Sequence, residues 1–292
     1  MKIFDCTTFY DEKLMMDVRF NILDNFVSKF IVVESVFSHS GKKKNLNFDI
    51  NDYPKFKDKI HYVVIEKEPI GLLEESENCL MNKRINSIKR IEQSYNFMSK
   101  GISDAAENDL IMLSDNDEIP KLSSVNLNLL NNDYLLFKQY FLYYKFNLLY
   151  DRMYWFGTKA CKKKNLKSFS SLRNIKNKKY SFWRLDTYLS EIKQINLRII
   201  DDGGWHFTNL KTPAELFKKL SNFGHHDEFS VSSLTEEDLK QKIENKEVFY
   251  DHLADKSSNS KWNISYKLKK IDENLLPSYI VQNRENLKKW FD

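Results

Sequence analysis

The chain has 292 residues, of which 41% are hydrophobic and 30% charged, with a formal net charge of +5. That length supports one large core or two small ones, and the composition belongs to soluble globular chains rather than disordered ones. No apolar run reaches the roughly 18 residues of a membrane span, the odd and scattered Cys6, Cys79 and Cys161 make neither a zinc spacing nor a disulfide framework, and the seven glycines form no GxGxxG or GxxxxGK[ST] phosphate cradle.

The opening "MKIFDCTTFY" lacks an apolar leader and a small-residue cleavage site, so a chain that starts here and stays in the cytosol is the expectation. "KIFDC" reads as a strand. Residues 12–27 place Leu14, Met15, Val18, Ile22 and Phe26 at helical spacing. "KFIVVES" and "KIHYVVIE" read as a second and third strand, rich in β-branched residues. Residues 76–99 set Leu80, Ile88, Ile91 and Tyr95 on one side of a helix, and "DLIMLSD" is a fourth strand. Apolar strands separated by helices or long crossings predict an α/β fold with a mostly parallel sheet covered on both faces.

The second half differs. "YLLFKQYFLYYKFNLLY" and "YWFGTKACK" predict longer, partly antiparallel strands, followed by "QINLRII" and "DDGGWHF". Helices are expected from about Pro213 to Phe223, with Thr212 as N-cap, and from about Thr235 to Glu244. No low-complexity linker divides the chain. One domain is expected: a nucleotide-binding half over 1–120, an acceptor half over 121–250 and a C-terminal extension over 251–292.

Chemistry concentrates in "LIMLSDNDEIP", where an apolar strand ends in Asp115, Asn116, Asp117 and Glu118. Ligands of parallel sheets bind beyond the carboxyl ends of strands. Alternate residues there project in similar directions, so Asp115 and Asp117 can face one pocket. Paired carboxylates repel unless a cation lies between them. A divalent ion with oxygen ligands fits, and a diphosphate completes its shell. The metal then replaces the missing glycine cradle. The alternative is a polar turn that caps a following helix.

"DDGGWHFTNL" is a second cluster. Its glycines allow unusual backbone angles or close approach to a ligand. His206 offers a third ligand for manganese or a similar ion, or is a buried imidazole with a backbone partner. Trp205 is either core or a stacking face for a sugar. A third cluster, "NFGHHDEF", places His225, His226, Asp227 and Glu228 together and supplies a general base or an exposed polar loop. The basic runs Lys42–Lys44 and Lys162–Lys164 are either solvated surface or a rim attracting an anionic substrate or membrane.

The segments "FDCTTFYDEKLMMDVRFNILDNFVSKFIVVESVFSHSGKKK", "YPKFKDKIHYVVIE", "NSIKR", "LIMLSDNDEIP", "GGWHF" and "KIENKEVFYD", in that order over residues 2 to 250, resemble glycosyltransferase family 17. That family includes the β-1,4-mannosyl-glycoprotein 4-β-N-acetylglucosaminyltransferases. The resemblance implies a GT-A-like fold, a UDP-sugar donor, Mn²⁺ or Mg²⁺, and inversion at the anomeric carbon. It assigns Asp115 and Asp117 to metal and nucleotide, and His206 to the metal. Glu34, His39 in "SHSGK", Arg84 and Asn86 are expected near the donor nucleotide. Inversion requires a base, for which Glu228, Asp202 and Glu118 are the candidates, in that order. The expected partners are a nucleotide sugar and a glycan acceptor, with peripheral membrane association possible and no nucleic acid. A binding protein without catalysis, or a metal-dependent phosphohydrolase or nucleotidyltransferase, are the competing classes.

Overall fold

The computed structural model describes residues 1–75, 80–127, 131–222, 229, 232–254, 259–262 and 264–292. In chain order, the first half contains β1 (Ile3–Thr8), α1 (Lys13–Leu23), β2 (Lys29–Ser35), β3 (Ile60–Ile65), α2 (Leu80–Phe97), β4 (Leu110–Ser114) and β5 (Glu118–Pro120). Then come β6 (Tyr134–Phe137), β7 (Tyr140–Tyr143), β8 (Leu148–Leu149), β9 (Lys159–Lys162), α3 (Phe169–Asn174), β10 (Leu197–Ile200) and β11 (Gly204–Thr208). The described chain ends with α4 (Pro213–Leu220), α5 (Glu236–Glu244), β12 (Lys269–Lys270) and α6 (Ser278–Gln282).

Two sheets result. The first has seven strands in the order β10-β6-β9-β4-β1-β2-β3. Its pairings are parallel except those made by β9, which runs antiparallel to both β4 and β6. The second has five strands in the order β12-β8-β7-β11-β5, antiparallel apart from the β7–β11 pair. The mixed α/β expectation, with a mostly parallel sheet and a partly antiparallel second portion, matches this arrangement.

The strands of the first sheet are apolar on both faces because both faces are covered. Ile3, Phe30, Val32, Leu110 and Met112 point to one core, where α1 contributes Met15, Met16, Val18, Phe20 and Leu23. Phe4, Cys6, Ile31, Val33, Ile111 and Leu113 point to the other, closed by Tyr95 of α2, by Met98 just after it and by Phe169 and Leu172 of α3. A third core lies under the second sheet, around Phe141, Tyr143, Leu148, Leu216 and Trp262.

The C-terminal stretch is part of the main core rather than an appendage. Leu276, Ile280 and Phe291 are buried in the α1 cluster, and the Tyr279 hydroxyl donates to Asp17 at 2.7 Å. Helix α1 stops at Leu23, four residues before the expected end, and Val27 turns into the core. Thr212 caps α4 as expected, in a reciprocal box with Glu215. Strand β5 has no periodic signature in the sequence. It is three residues long, offers no apolar run and contains Pro120, which an edge strand tolerates.

Charge lies in the middle of this apolar packing. Asp5 on β1 and Arg19 on α1 are both fully buried. The Arg19 guanidinium donates to both Asp5 oxygens, at 2.7 and 2.6 Å, in a bidentate pair. Its remaining nitrogen donates to the backbone carbonyls of Asp115 at 3.2 Å and Glu118 at 2.8 Å. One side chain therefore ties the strand, the helix and the turn after β4 together. Arg19→Met leaves the Asp5 carboxylate buried and unpaired, which should cost about 3–5 kcal/mol of stability. Urea denaturation should show a lower midpoint at unchanged slope. An unaltered midpoint would contradict this role.

Candidate active site

The acidic turn is shaped by its backbone before its side chains. The Glu118 amide donates to the Asp115 carbonyl at 3.0 Å, and the Asp115 amide donates to a Glu118 carboxylate oxygen at 2.8 Å. Strand β5 then pairs with β11 in a register that sets Glu118 opposite His206, and the Phe207 amide donates to the Asp117 carbonyl at 2.8 Å. This register carries "GGWHF" to "SDNDEIP" across more than eighty residues of sequence. Gly204 makes it possible. Its φ is +130°, and a Cβ there would lie 2.2 Å from the Ile119 carbonyl oxygen. The glycine admits the neighbouring strand rather than a ligand.

His206 Nε2 lies 3.5 Å from Asp117 Oδ1. The imidazole packs in a cluster of three rings: Phe141 is stacked on it at 5.0 Å, Trp155 tilts against it at 4.7 Å, and those two rings meet each other at 5.2 Å. Its Nδ1 is buried with no hydrogen-bond partner among the described residues. Burial raises the Asp117 pKa, but the adjacent imidazole outweighs it and brings the carboxyl down to about 2.

Asp115 faces a different partner. Arg173, on α3, donates to its carboxylate at 2.6 Å and to Glu118 at 3.0 Å. The Tyr95 hydroxyl donates to the other Asp115 oxygen at 3.1 Å. About a third of the Asp115 side chain is open to the cavity. Desolvation, opposed by Arg173 and assisted by the negative charges of Glu118 and Asp117, moves its carboxyl up to about 6. Glu118 is fully buried and receives Trp155 Nε1 at 2.7 Å as well as Arg173. Burial raises its pKa, yet Arg173 and His206 hold the net value below the ordinary range. Gly157 leaves room for this carboxylate, since a Cβ there would fall 2.3 Å from the Glu118 carboxyl carbon.

Arg173 is itself held from behind. Lys159 on β9 is buried and donates to the carbonyls of Arg173 at 2.7 Å and Ile175 at 2.5 Å, at the end of α3. Desolvation and the repulsion of Arg173 press its ammonium down to about 7.

Tyr95, Asp115, Asp117, Glu118, Arg173 and His206 line a cavity of about 680 Å³. The carboxyl ends of β1 and β2 and the following loop contribute Tyr10, Ser35, Phe37, His39 and Lys44. The second sheet and the segments after it contribute Phe141, Tyr143, Trp155, Tyr250 and His252. Lys219 and Arg173 add positive charge beside the acidic turn. Burial and the nearby His206 lower the His252 pKa to about 4, so this imidazole is neutral at physiological pH.

The sequence-predicted residues divide. Asp115, Asp117, Glu118, His206 and His39 all line the cavity. The three expected metal ligands do not converge: Asp117 and His206 face each other, whereas Asp115 is turned to Arg173 and Tyr95. Among the described residues no group of three His, Cys, Asp or Glu side chains is arranged as a metal cage. Glu34 is outside the cavity lining. Its oxygens accept from the Asn47 and Phe48 amides, the Tyr62 hydroxyl and Lys44, and so anchor the loop after β2. Asn86 similarly pins the segment before α2, exchanging two 2.8 Å bonds with the Leu73 backbone. Arg84 is half-buried on α2, away from the cavity lining. Asp202 sits on the turn before β11, pairs with Lys121 at 2.5 Å and does not line the cavity. Glu228, His225 and His226 lie outside the described residues. Trp205 is core, its Nε1 donating to the Leu275 carbonyl at 2.7 Å.

Sequence reasoning missed Arg173, Lys159, Lys219 and His252, none of which stands in a distinctive local pattern, and read Tyr95 only as part of the apolar face of its helix. Trp155 was visible only as part of an aromatic-rich strand segment.

The model of glycosyltransferase family 17 matches residues 1–291. Among curated proteins, none matches the chain. Two solved structures of HddC from Yersinia pseudotuberculosis are similar to it. The one complexed with GMP-PN has 12% identity and a TM-score of 0.35, covering 69% of this chain and 90% of its own. The other has 13% identity and a TM-score of 0.32, covering 70% and 92%. Likenesses this distant carry no functional argument.

The depressed Lys159 pKa has a consequence for stability. Between about pH 7, the folded value, and 10.5, the ordinary one, the unfolded chain holds a proton that the folded chain has released. Stability from this group therefore rises with pH across that window and is lowest below it. Lys159→Met should flatten the rise, read as the change in urea midpoint between about pH 7.5 and about pH 9.5 relative to wild type. Equal pH responses of the two proteins would show that the ammonium is not desolvated.

Proposed function

The chain belongs to glycosyltransferase family 17, and from that premise we propose a metal-dependent, inverting enzyme of GT-A type that moves N-acetylglucosamine from its UDP donor to a glycan hydroxyl. The observation that carries this reading is the meeting of Asp117 with His206 beside Asp115, at the carboxyl end of a central strand, in one cavity. The parallel order of β4, β1, β2 and β3, with the acidic turn directly after β4, supports the GT-A assignment.

The donor set fits a divalent ion. Ions of the magnesium type take one or two carboxylates and complete their shell with substrate phosphates rather than an all-protein cage, and imidazole suits manganese. When bound by Asp117 and His206 together with diphosphate oxygens, Mn²⁺ or Mg²⁺ supplies charge stabilisation to the departing nucleoside diphosphate. The protein's own cations work alongside. Lys219 lines the same wall, and Arg173 holds Asp115 and Glu118 in a fixed arrangement that offsets part of their negative charge, which lessens the repulsion of the diphosphate by the acidic turn. Tyr10, Phe37 and His39, at the ends of β1 and β2, form the wall for the nucleoside. The aromatic wall around Trp155, Tyr250 and His252 offers ring faces to the C–H surfaces of sugars, with few polar groups to fix orientation.

Inversion requires a single displacement, with a base accepting the acceptor's proton in the transition state. Glu118 has both oxygens committed to Arg173, Trp155 and the Asp115 amide. Asp202 is outside the cavity lining. Glu228, in the "GHHDEF" segment, remains the first choice on sequence grounds.

Asp117→Asn should retain the circular dichroism and melting behaviour of the wild type while losing most turnover, measured as UDP release with and without acceptor. Undiminished transfer by that variant, or by wild type in excess chelator, would sink the metal assignment. Glu228→Gln should lower turnover by roughly 10²–10⁴, with UDP affinity by calorimetry nearly unchanged; normal turnover would move the base elsewhere. An α-linked product from the α-linked donor, seen by NMR, would overturn inversion.

A further inference from the structure

Between α3 and β10 the chain makes a long excursion whose base is well tied. The Lys176 amide donates to the Ile192 carbonyl at 2.8 Å, the Tyr180 amide to the Gln194 carbonyl at 3.2 Å, and Tyr180 is buried. The tip is the opposite. Phe182 is 54% exposed, Trp183 78%, Leu185 80%, Tyr188 67% and Leu189 94%. Five large apolar side chains within eight residues thus stand in solvent, with Phe182 and Trp183 packed on each other at 4.2 Å. Scattered exposed leucines are ordinary, but a contiguous apolar patch marks an interaction surface.

The charges around the patch identify what covers it. Lys176, Lys178, Lys179, Arg184 and Lys193 face only two acidic residues in the same stretch, Asp186 and Glu191. Asp186, the one carboxylate within the tip, is paired with Arg184 at 2.8 Å and Lys193 at 2.6 Å. Among the described residues no carboxylate pairs with Lys176, Lys178 or Lys179. Protein–protein interface cores are depleted in lysine. A basic fringe around Trp, Tyr, Phe and Leu instead suits the headgroup boundary of an anionic bilayer, where aromatic rings sit at headgroup level and lysines neutralise lipid charge. Such binding needs two signals, apolar insertion and a basic patch, and both are present here.

We propose that the tip at residues 182–189 inserts into the surface of an anionic lipid membrane, with Lys176, Lys178 and Lys179 held over the headgroups. This docking is independent of the donor chemistry. It has a structural link to the site, because the segment begins directly after Arg173, and Lys159 grips the carbonyls of both Arg173 and Ile175 at its root. The membrane therefore meets the enzyme at an element continuous with the acidic turn's counter-charge.

Co-sedimentation of the full chain with phosphatidylcholine vesicles, with and without phosphatidylglycerol, tests the proposal. Wild type should bind the anionic vesicles about tenfold or more tightly than the neutral ones, with binding weakened by salt and Trp183 fluorescence shifted to the blue. Trp183→Ser combined with Leu189→Ser, and separately Lys178→Glu combined with Lys179→Glu, should each cut binding by about tenfold, with unchanged thermal melts. Failure of wild type to bind, undiminished binding by both folded variants, or conversion of a wild-type dimer to monomer with lipid binding intact would overturn it. The last outcome would assign the patch to a second copy of the chain.

Discussion

A single buried guanidinium organises this molecule. Arg19 is fully enclosed, and its charge is tolerable only because every direction it points in holds an acceptor: Asp5 on one side and the carbonyls of the acidic turn on the other. The carbonyls of Asp115 and Glu118 accept from this group in addition to the Glu118 amide and the Thr158 hydroxyl, so the turn is held from both sides. The backbone after β4 is therefore placed against β1 and α1 before any ligand arrives. The carboxylates of Asp115, Asp117 and Glu118 inherit their directions from that placement.

Around this anchor the site separates its negative charges instead of pooling them. Asp117 meets an imidazole and Asp115 and Glu118 share Arg173, so three neighbouring carboxylates have two different counter-charges. The contrast in pKa follows: Asp117 is driven down while Asp115 is driven up. Asp117 is thus ionised throughout the physiological range, which is the state a cation ligand must have. Arg173 depends in turn on Lys159, whose own burial is the cost of holding the end of a six-residue helix in register.

The two sheets have distinct tasks. The mostly parallel sheet supplies the strand ends that build one wall of the cavity. The second sheet supplies the aromatic wall and, through the β5–β11 pair, delivers His206. Pre-positioning on strands suits a reaction that depends on fixed charges, since little reorganisation is then needed at the moment of transfer. The excursion after α3 departs from this economy, with its apolar tip turned outward.

The sequence by itself determined the elements whose signal is local. Period-two and continuous apolar runs placed β1 to β4, helical spacing placed α1 and α2, and Thr212–Pro213 marked the start of α4 to the residue. It also placed Asp115 and Asp117 at a strand end, because a polar run after a buried strand can hardly lie elsewhere. The family likewise follows from local strings in a fixed order. Tertiary structure alone decided the rest. That Asp117 faces His206 while Asp115 turns to Arg173 depends on the register of a three-residue strand, too short for any periodic signal. Glu34 and Asn86 look like ligand-binding polar residues in sequence; their acceptors and donors are consumed by nearby backbone only once the loops close over them. Arg19 and Arg173 look like any other arginine in a chain with 46 basic residues, since whether a charge is buried, and against which partner, is set by contacts 14, 55 or 99 positions away along the chain. Local sequence encodes the propensity to form an element, and burial and pairing arise only when distant elements meet.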